Sequence, residues 1–373
     1  MANAARFFLD RQMTKIYNFC AGPAMLPVAV MQKAQAEFLD WQSMGRSVME
    51  ISHRSKEYIE LAETAEQDLK ELLRVPDNYK ILFAQGGGRG QFSAVPMNLH
   101  GRGESVDFLM SGSWSTGALK EASKFLKTNV VGDIVMQDGL STVPSITAAQ
   151  VNQKSAYLHY CSNETIEGIE INDIPDCGDV PLVVDMSSNI LSKPIDVSKF
   201  GVIYAGAQKN IGPSGLSVVI VRDDLLDFAM PETPTFLHYQ TMANYNSMYN
   251  TPPTYSWYLA GLVFKWLKEQ GGVEGIAEKN AEKAALLYQC IDESGFYLNN
   301  VHPDFRSKMN PIFHLPNTDL DAAFVKESEQ AGLTALKGHR SVGGMRASIY
   351  NAMPIEGVNA LTEFMRDFAR KYK

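Results

Sequence analysis

Residues 201–221 read GVIYAGAQKNIGPSGLSVVIV and place a lysine between two apolar runs. The runs at 201–206 and 216–221 have the length and β-branched content of buried strands. They are too close together for a helical crossover, so this pair could be antiparallel. Lys209 stands between them among small residues, and the glycines there permit close backbone approach. Such an amine is suited to attack a carbonyl carbon, although most lysines are solvated surface charges.

Most of the chain before residue 250 alternates apolar runs with amphipathic helices. A helix is predicted at 56–73, where apolar residues recur at three- and four-residue intervals. Further strands are predicted at 79–84, 106–110, 156–161 and 181–186. This alternation is typical of a three-layer α/β fold with a mainly parallel sheet.

The pattern changes after Pro252-Pro253, which indicates a second, smaller α/β unit. Its predicted helices run from these prolines through Trp266 and over 273–293, 318–331 and 356–371, with strands at 310–315 and 345–350. We expect a large domain over residues 13–260, whose N-terminal segment could pack on the small domain at 261–373. Residues 1–12 are interpreted as an N-terminal extension that an expression vector could supply.

Composition excludes several classes of protein. The 373 residues carry a formal net charge of −8, which disfavours sequence-independent nucleic-acid binding because that requires a basic face. No apolar run approaches the ~18 residues of a membrane span, and the N-terminus is not a convincing signal peptide. The four cysteines are scattered without a C-x-x-C pair, so neither a disulfide framework nor a metal site is expected. We expect a cytoplasmic protein.

A glycine-rich turn follows the strand predicted at 79–84. Residues 85–91 read QGGGRGQ, ahead of a predicted helix whose N–H groups and dipole could bind an anion. Gln91 stands where the G-x-G-x-x-G fingerprint needs its third glycine, and no G-K-[ST] follows, so dinucleotide and Walker-type sites are excluded. The segment alone fits an anion site and a ligand-free tight turn about equally well.

Asp185 lies at the end of the strand predicted at 181–186. In an open α/β sheet the ligand crevice lies beyond the carboxyl ends of the strands, so Asp185, Lys209 and the glycine turn are expected to converge. Alone, Asp185 could equally be a structural cap. Together the three features suit pyridoxal phosphate, which needs an amine for its Schiff base, a carboxylate for its pyridinium nitrogen and an anion site for its phosphate. Trp114 could cover the ring or simply belong to the core.

Longer motifs resemble the phosphoserine aminotransferases, a family of fold-type-I, class V aminotransferases that use pyridoxal phosphate. The similarity runs from about Tyr17 to the C-terminus. It is carried by NFCAGPAMLP (18–27), SVMEISHRSKE (47–57), GGGRGQF (86–92), HYCSNETIEG (159–168), AGAQKNIGPSGL (205–216), NTPPTYSWYLAGLVFKWL (250–267) and GHRSVGGMRASIYNAMP (338–354).

This resemblance implies roles for residues around the expected crevice. Lys209 matches the Schiff-base lysine and Asp185 the carboxylate on the pyridine nitrogen, and both would be catalytic. The other implied cofactor ligands are Gly88, Arg89, Trp114, Thr165 and Gln208, joined by Asn250 and Thr251 from a second subunit. A homodimer with shared active sites is therefore implied.

The resemblance also implies the reaction, in which L-glutamate and 3-phosphohydroxypyruvate give 3-phosphoserine and 2-oxoglutarate in serine biosynthesis. Arg346 matches the arginine that binds the α-carboxylate, a task suited to a planar guanidinium. Two His-Arg pairs match those that bind the distal anion of the substrate, His53-Arg54 from the neighbouring subunit and His339-Arg340. Bacterial members of the family imply 4-phosphohydroxythreonine, in pyridoxine biosynthesis, as a second substrate.

Two other functions stay open. A cysteine desulfurase or lyase could use the same fold but needs a reactive cysteine, and neither Cys161 nor Cys177 has an electropositive signature beside it. A non-catalytic protein that binds phosphorylated metabolites also fits the composition. Added glutamate should distinguish these functions, because only the transaminase would convert its cofactor at once.

Overall fold

A seven-stranded sheet forms the centre of the structure, a computed structural model that describes residues 16–373. The strands in these residues are β1 (Tyr17–Asn18), β2 (Tyr79–Gln85), β3 (Ser105–Leu109), β4 (Lys127–Gly132), β5 (Val135–Gln137), β6 (Leu140–Thr142), β7 (Leu158–Cys161), β8 (Asn163–Glu164), β9 (Ile169–Glu170), β10 (Leu182–Asp185), β11 (Val202–Gly206), β12 (Leu216–Arg222), β13 (Ile312–Phe313), β14 (Leu333–Thr334) and β15 (Met345–Arg346). The central sheet has the order β2-β12-β11-β10-β7-β3-β4. Among these seven strands β12 alone runs in the opposite direction, antiparallel to both β11 and β2, so the antiparallel pair allowed by residues 201–221 is confirmed.

Helices cover both faces of this sheet, which confirms the predicted three-layer α/β fold. The α-helices of residues 16–373, including those of the C-terminal part, are α1 (Val28–Ala36), α2 (Lys56–Leu73), α3 (Gly87–Asn98), α4 (Ser113–Ala122), α5 (Tyr239–Asn244), α6 (Thr254–Glu269), α7 (Gly272–Glu293), α8 (Asp321–Gln330) and α9 (Ile355–Tyr372). In β12, Val218 and Ile220 join the core shared with α2 and α6, whereas Val219 and Val221 join the core shared with α3 and α4. Its continuous apolar sequence therefore reflects burial on both faces. Within residues 16–373, no helix has both the length and the apolar character needed to cross a bilayer.

A third hydrophobic core gathers the C-terminal elements. Leu287 of α7, Phe324 of α8 and Leu361 of α9 are buried in it. The N-terminal segment joins this core, because β1 pairs in parallel with β14 and Phe19 is fully buried there. The domain division at residue 260 stays a prediction, and the extension proposed at residues 1–12 lies outside the described residues.

The two C-terminal strands are shorter than predicted. β13 and β15 have 2 residues each, rather than spanning 310–315 and 345–350. Backbone hydrogen bonds continue beside them, from the N–H of Ala347 to the carbonyl of Pro311 and from that of Ile349 to Met309. Because Pro311 has no N–H, the regular ladder stops there.

The indole of Trp257 anchors α6 to the sheet. It is fully buried, its ring centroid lies 4.2 Å from that of Phe83 in a stacked pair, and it meets Tyr58 edge-on. We expect Trp257→Ala to lower the free energy of unfolding by about 3–5 kcal/mol, because the lost ring leaves a large cavity. Urea unfolding followed by circular dichroism measures this loss. The control is Trp266→Ala on the same helix, where the ring is only half-buried, and equal losses in the two variants would contradict the assignment.

Candidate active site

A pocket of about 250 Å³ opens beyond the carboxyl ends of β10 and β11. Its walls also include the first turns of α3 and α4 and the turn after β8. The structure thus brings together most of the cofactor-binding residues that were predicted. These are Gly88, Arg89, Trp114, Thr165, Asp185, Gln208 and Lys209.

Lys209 lies on the turn after β11 and is only 8% exposed. Its Nζ donates hydrogen bonds to the hydroxyls of Thr165 at 2.7 Å and Ser188 at 2.6 Å. Burial lowers the pKa of Lys209 to about 8, against the opposing effect of the negative charges of Asp185 and Glu164. A substantial fraction of this amine is therefore neutral near pH 8, in the form that can attack a carbonyl or accept a proton.

Asp185, the last residue of β10, supplies a buried carboxylate to the same pocket. Its Oδ1 accepts the N–H of Ser187 at 2.8 Å. Burial raises the pKa of Asp185, whereas hydrogen bonds from Ser187 and the charge of Lys209 lower it. Such a carboxylate can hold a proton on a basic nitrogen of a bound ring.

The glycine turn places the N-terminus of α3 in the pocket wall. Gly86 precedes the helix with φ +91°, a left-handed conformation that glycine adopts readily. The first N–H groups of a helix have no intrahelical acceptors, and with the helix dipole they favour an anion. A Cβ at Gly206 would lie 3.0 Å from the backbone nitrogen of Gly88, so the two strand-end segments approach closely only as glycines. Of the two interpretations left open for residues 85–91, this geometry favours the anion site.

The indole of Trp114 forms another wall of the pocket. Its ring centroid lies 5.8 Å from Nζ of Lys209 and 5.1 Å from Cζ of Arg89. Phe92 meets the ring edge-on and belongs to the core behind it. The indole is half-buried, so one part of it packs while another stays open to a ligand.

Two carboxylates hold the start of α4, which carries this indole. The fully buried Glu164 accepts the N–H of Trp114 at 2.9 Å and that of Ser115 at 2.8 Å. Glu167 accepts the N–H of Ser113 at 2.9 Å. Burial and the neighbouring Glu167 raise the pKa of Glu164 to about 7, while the N–H donors of the helix lower it. These carboxylates satisfy the first three N–H groups of α4 and complement its dipole.

The turn after β8 connects the other parts of the site. The Thr165 hydroxyl accepts from Lys209, and its carbonyl accepts from Nη1 of Arg346 at 3.3 Å. The side-chain amide of Asn163, the residue before Glu164, donates to Oδ1 of Asn310 at 2.9 Å. This short turn therefore fixes the lysine, the arginine and the tryptophan helix relative to one another.

Arg346 borders the pocket through the Thr165 carbonyl, but the remaining predicted residues do not line it. They are His53, Arg54, Asn250, Thr251, His339 and Arg340. In the single chain the two arginines, Asn250 and Thr251 are exposed, while the two histidines are half-buried. Nε2 of His53 is buried without a hydrogen-bond partner, and burial together with the charge of Arg54 lowers the pKa of this imidazole.

Sequence reasoning missed two groups that touch this site. Ser188 is one of two hydroxyls bonded to Lys209, and its signal was the polar pair Ser187-Ser188 directly beyond the Asp185 strand. Glu164 precedes Thr165 in the motif NETIEG, where no periodicity indicates that this charged side chain turns inward. Only the fold places it under the start of α4.

Comparison with known proteins places the chain among transaminases. The family model "Aminotransferase class-V" matches residues 16–361. A phosphoserine aminotransferase from Bacillus circulans subsp. alkalophilus is 48% identical, with 96% of this chain and 99% of that one covered and a TM-score of 0.92. A phosphoserine aminotransferase solved in connection with radiation damage of its Schiff base is 45% identical, with 96% and 100% covered and a TM-score of 0.92. A phosphoserine aminotransferase from Trichomonas vaginalis with bound pyridoxal phosphate is 41% identical, with 94% and 100% covered and a TM-score of 0.87.

The lowered pKa of Lys209 gives a prediction for the protein freed of any ligand. We expect the rate at which this amine captures an added aromatic aldehyde to rise with pH through a midpoint of about 8, because the neutral amine is the nucleophile. Glu164→Gln should move this midpoint to lower pH, since it removes a negative charge that favours the ammonium form. Stopped-flow absorbance measures both profiles. Glu121→Gln, a half-buried carboxylate near the far end of α4 that pairs with Lys124 outside the pocket, should leave the midpoint unchanged. A shift equal to that of Glu164→Gln would show that the midpoint does not report the charge of Glu164.

Proposed function

Since the chain belongs to the phosphoserine aminotransferase family of class V aminotransferases, we propose that it transfers the amino group of L-glutamate to 3-phosphohydroxypyruvate. The products are 3-phosphoserine and 2-oxoglutarate, which places the reaction in serine biosynthesis. The observation that carries the proposal is the buried Lys209 amine, held by two hydroxyls in a pocket between the Trp114 indole and the start of α3.

The chain is a pyridoxal-phosphate-dependent transaminase, and its pocket residues fit this cofactor. Lys209 and Asp185 would hold it at the aldehyde carbon and the ring nitrogen, and Trp114 would cover the ring. The N–H groups at the start of α3 would bind its phosphate, with Gln208 beside them. When bound, pyridoxal phosphate supplies a carbon that takes up the amino group and a ring that delocalises the electron pair left at the substrate Cα.

Lys209 performs the proton transfers in the proposed reaction. With glutamate bound, Nζ would accept the proton from the substrate Cα and return it on the other side of the transferred nitrogen. The lowered pKa makes this amine a base near neutral pH. Thr165 and Ser188 orient Nζ through their hydroxyl groups, so the amine stays aimed into the pocket. The same steps in reverse serve the phosphorylated keto acid.

Asp185 keeps a proton on the ring nitrogen. Its carboxylate is buried, and the N–H and hydroxyl of Ser187 favour the ionised form. A negative charge held out of water interacts strongly with a protonated ring nitrogen, which is the form that withdraws electrons best.

Recognition of both substrates is proposed to depend on basic side chains around the pocket, although the protein as a whole is acidic. Arg346 would bind the α-carboxylate that glutamate and 3-phosphohydroxypyruvate share. The pairs His53-Arg54 and His339-Arg340 would bind the distal anion, which is a carboxylate in one substrate and a phosphate in the other. The same charges suit 4-phosphohydroxythreonine, so a second reaction in pyridoxine biosynthesis is part of the proposal.

We propose that the active enzyme is a homodimer located in the cytoplasm. The support comes from Arg54, Asn250 and Thr251, which the family pattern assigns to the site and which are exposed in the single chain. A second subunit that delivers them would complete both the phosphate site and the distal-anion site.

Cys161 and Cys177 give no support to a desulfurase or lyase. Cys161 is fully buried, and burial raises its pKa well above the ordinary value of a thiol. Cys177 donates its hydrogen bond to the carbonyl of Val180, and burial raises its pKa as well. Neither thiol is activated for nucleophilic attack.

The reaction is tested by single-turnover spectra with glutamate, phosphoserine and cysteine in parallel. We expect glutamate and phosphoserine to convert the bound cofactor to its amine form. Lys209→Ala should abolish both the Schiff-base absorbance and turnover, whereas Asp185→Asn should retain cofactor and lose orders of magnitude in rate. Sulfur release from cysteine would overturn the proposal in favour of a desulfurase, and no change with glutamate would favour a non-catalytic binding protein.

Shared active sites are tested by mixing two inactive variants. A hybrid dimer has one Lys209→Ala subunit and one Arg54→Ala subunit. If Arg54 acts across the interface, both defects fall in the same active site and the other site is intact. Random pairing should then restore about a quarter of the wild-type activity, because half of the dimers are hybrids with one intact site each. Activity with 3-phosphohydroxypyruvate after co-refolding measures this recovery. No recovery in verified hybrid dimers would show that Arg54 acts within its own chain.

A further inference from the structure

Helix α7 passes from one hydrophobic core to another. In its first half, Val273 and Ile276 belong to the core next to the central sheet, whereas Leu287 and Cys290 in its second half belong to the C-terminal core. Between these halves lie Asn280 and Lys283, each only 2% exposed. A charged and an amide side chain are therefore buried where the two cores meet.

Lys283 binds the loop that follows Arg346. Its Nζ donates to the backbone carbonyls of Ile349 at 3.1 Å, Tyr350 at 2.8 Å and Met353 at 3.0 Å. Burial lowers the pKa of Lys283 to about 7, but three carbonyl acceptors match the three N–H donors of an ammonium group. A neutral amine would leave one of these carbonyls without a donor.

A chain of three asparagines continues from Asn280 to the lysine turn. The Asn280 amide donates to the carbonyl of Ser192 at 3.1 Å and to Oδ1 of Asn351 at 2.9 Å. Asn351 in turn donates its backbone N–H to Oδ1 of Asn210 at 3.0 Å. Asn210 is the residue next to Lys209, so the chain ends one peptide away from the proposed Schiff-base amine.

The segment before the lysine turn is held by the same network. Asn351 donates from its side chain to the carbonyl of Leu191 at 2.9 Å, and Asn210 donates to that of Ile190 at 3.0 Å. Leu191 has φ +61°, a left-handed conformation that is costly for a residue with a side chain. The hydrogen bonds from Asn351 to Leu191 and from Asn210 to Ile190 hold this segment in place.

We propose that Asn280, Lys283, Asn351 and Asn210 are positioning residues that set the distance between Arg346 and Lys209. One end of the network holds the loop after the arginine, and the other end holds the residue after the lysine. Hydrogen bonds depend on direction as well as distance, so this network adds a directional constraint to the packing of the two cores. The proposal rests on the proposed function, in which Arg346 and Lys209 act on the same substrate.

Lys283→Met and Lys279→Met form a matched pair of variants for the test. Lys279 lies one turn earlier on α7, is exposed, and bonds only to the side chain of Gln270 among the described residues. In Lys283→Met we expect the KM for glutamate to rise about tenfold or more while the dissociation constant of pyridoxal phosphate changes less than about twofold. Lys279→Met should leave both constants unchanged. Asn280→Leu keeps the side-chain size but breaks the hydrogen bonds to Ser192 and Asn351. It should raise the KM for glutamate as Lys283→Met does and likewise leave the dissociation constant of pyridoxal phosphate nearly unchanged.

Calorimetry of the ligand-free protein provides a readout that does not depend on the reaction. The wild type should unfold in one transition and Lys283→Met or Asn280→Leu in two, because the cores next to the sheet and at the C-terminus lose their polar connection. A glutamate KM that stays at the wild-type value in folded variants would overturn the proposal, as would equal losses of cofactor and glutamate affinity. Two transitions already present in the wild type would also overturn it. If the wild type fails to react with glutamate but calorimetry gives the expected split, the proposed function is wrong and the connection between the cores stands.

Discussion

An ammonium group that is taken out of water must find compensation in the protein, and the burial of Lys209 imposes this demand on the site. The effective cost of burying such a charge is on the order of several kcal/mol. The charges of Asp185 and Glu164 offset the effect of burial only in part, so the pKa of the amine stays at about 8. The hydroxyls of Thr165 and Ser188 accept two of its hydrogen bonds. Complete compensation would leave a permanently charged and unreactive group. Partial compensation gives an amine that exchanges protons near neutral pH.

The segment formed by β8 and the turn after it supplies much of this compensation and also defines the shape of the pocket. Within a few residues it presents a hydroxyl to Lys209, a carbonyl to Arg346 and a carboxylate to the start of α4. Because one rigid segment makes all three contacts, the amine, the guanidinium and the indole keep their relative positions. The buried asparagines and lysine at the junction of the cores act on the same geometry from the opposite side.

Much of the fold follows from local sequence, because strands buried on both faces read as continuous apolar runs. Asp185 and Lys209 could be placed at the carboxyl ends of strands for the same reason, since Asp185 ends such a run and Lys209 follows one. The extents of β13 and β15 depended instead on a missing N–H at Pro311. Lys283 on the polar-faced helix predicted at 273–293 carries no mark of burial, because its environment is set by where two distant cores meet. The roles expected for His53 and Arg54 rest on the family resemblance alone, since no local pattern indicates whether a residue serves the site of a second chain.

The antiparallel strand β12 has a consequence for the kinetics of the lysine. Residues 207–215 connect β11 to β12, and the two strands pair from Val202 and Val221 up to Gly206 and Ser217. Both ends of the backbone segment that carries Lys209 are therefore fixed by paired strands within the central sheet. In the proposed reaction only the flexible side chain of Lys209 would move when Nζ is released, so the amine would stay in the pocket at a high effective molarity. The return of Nζ to its original bond would therefore be an intramolecular step of the proposed reaction.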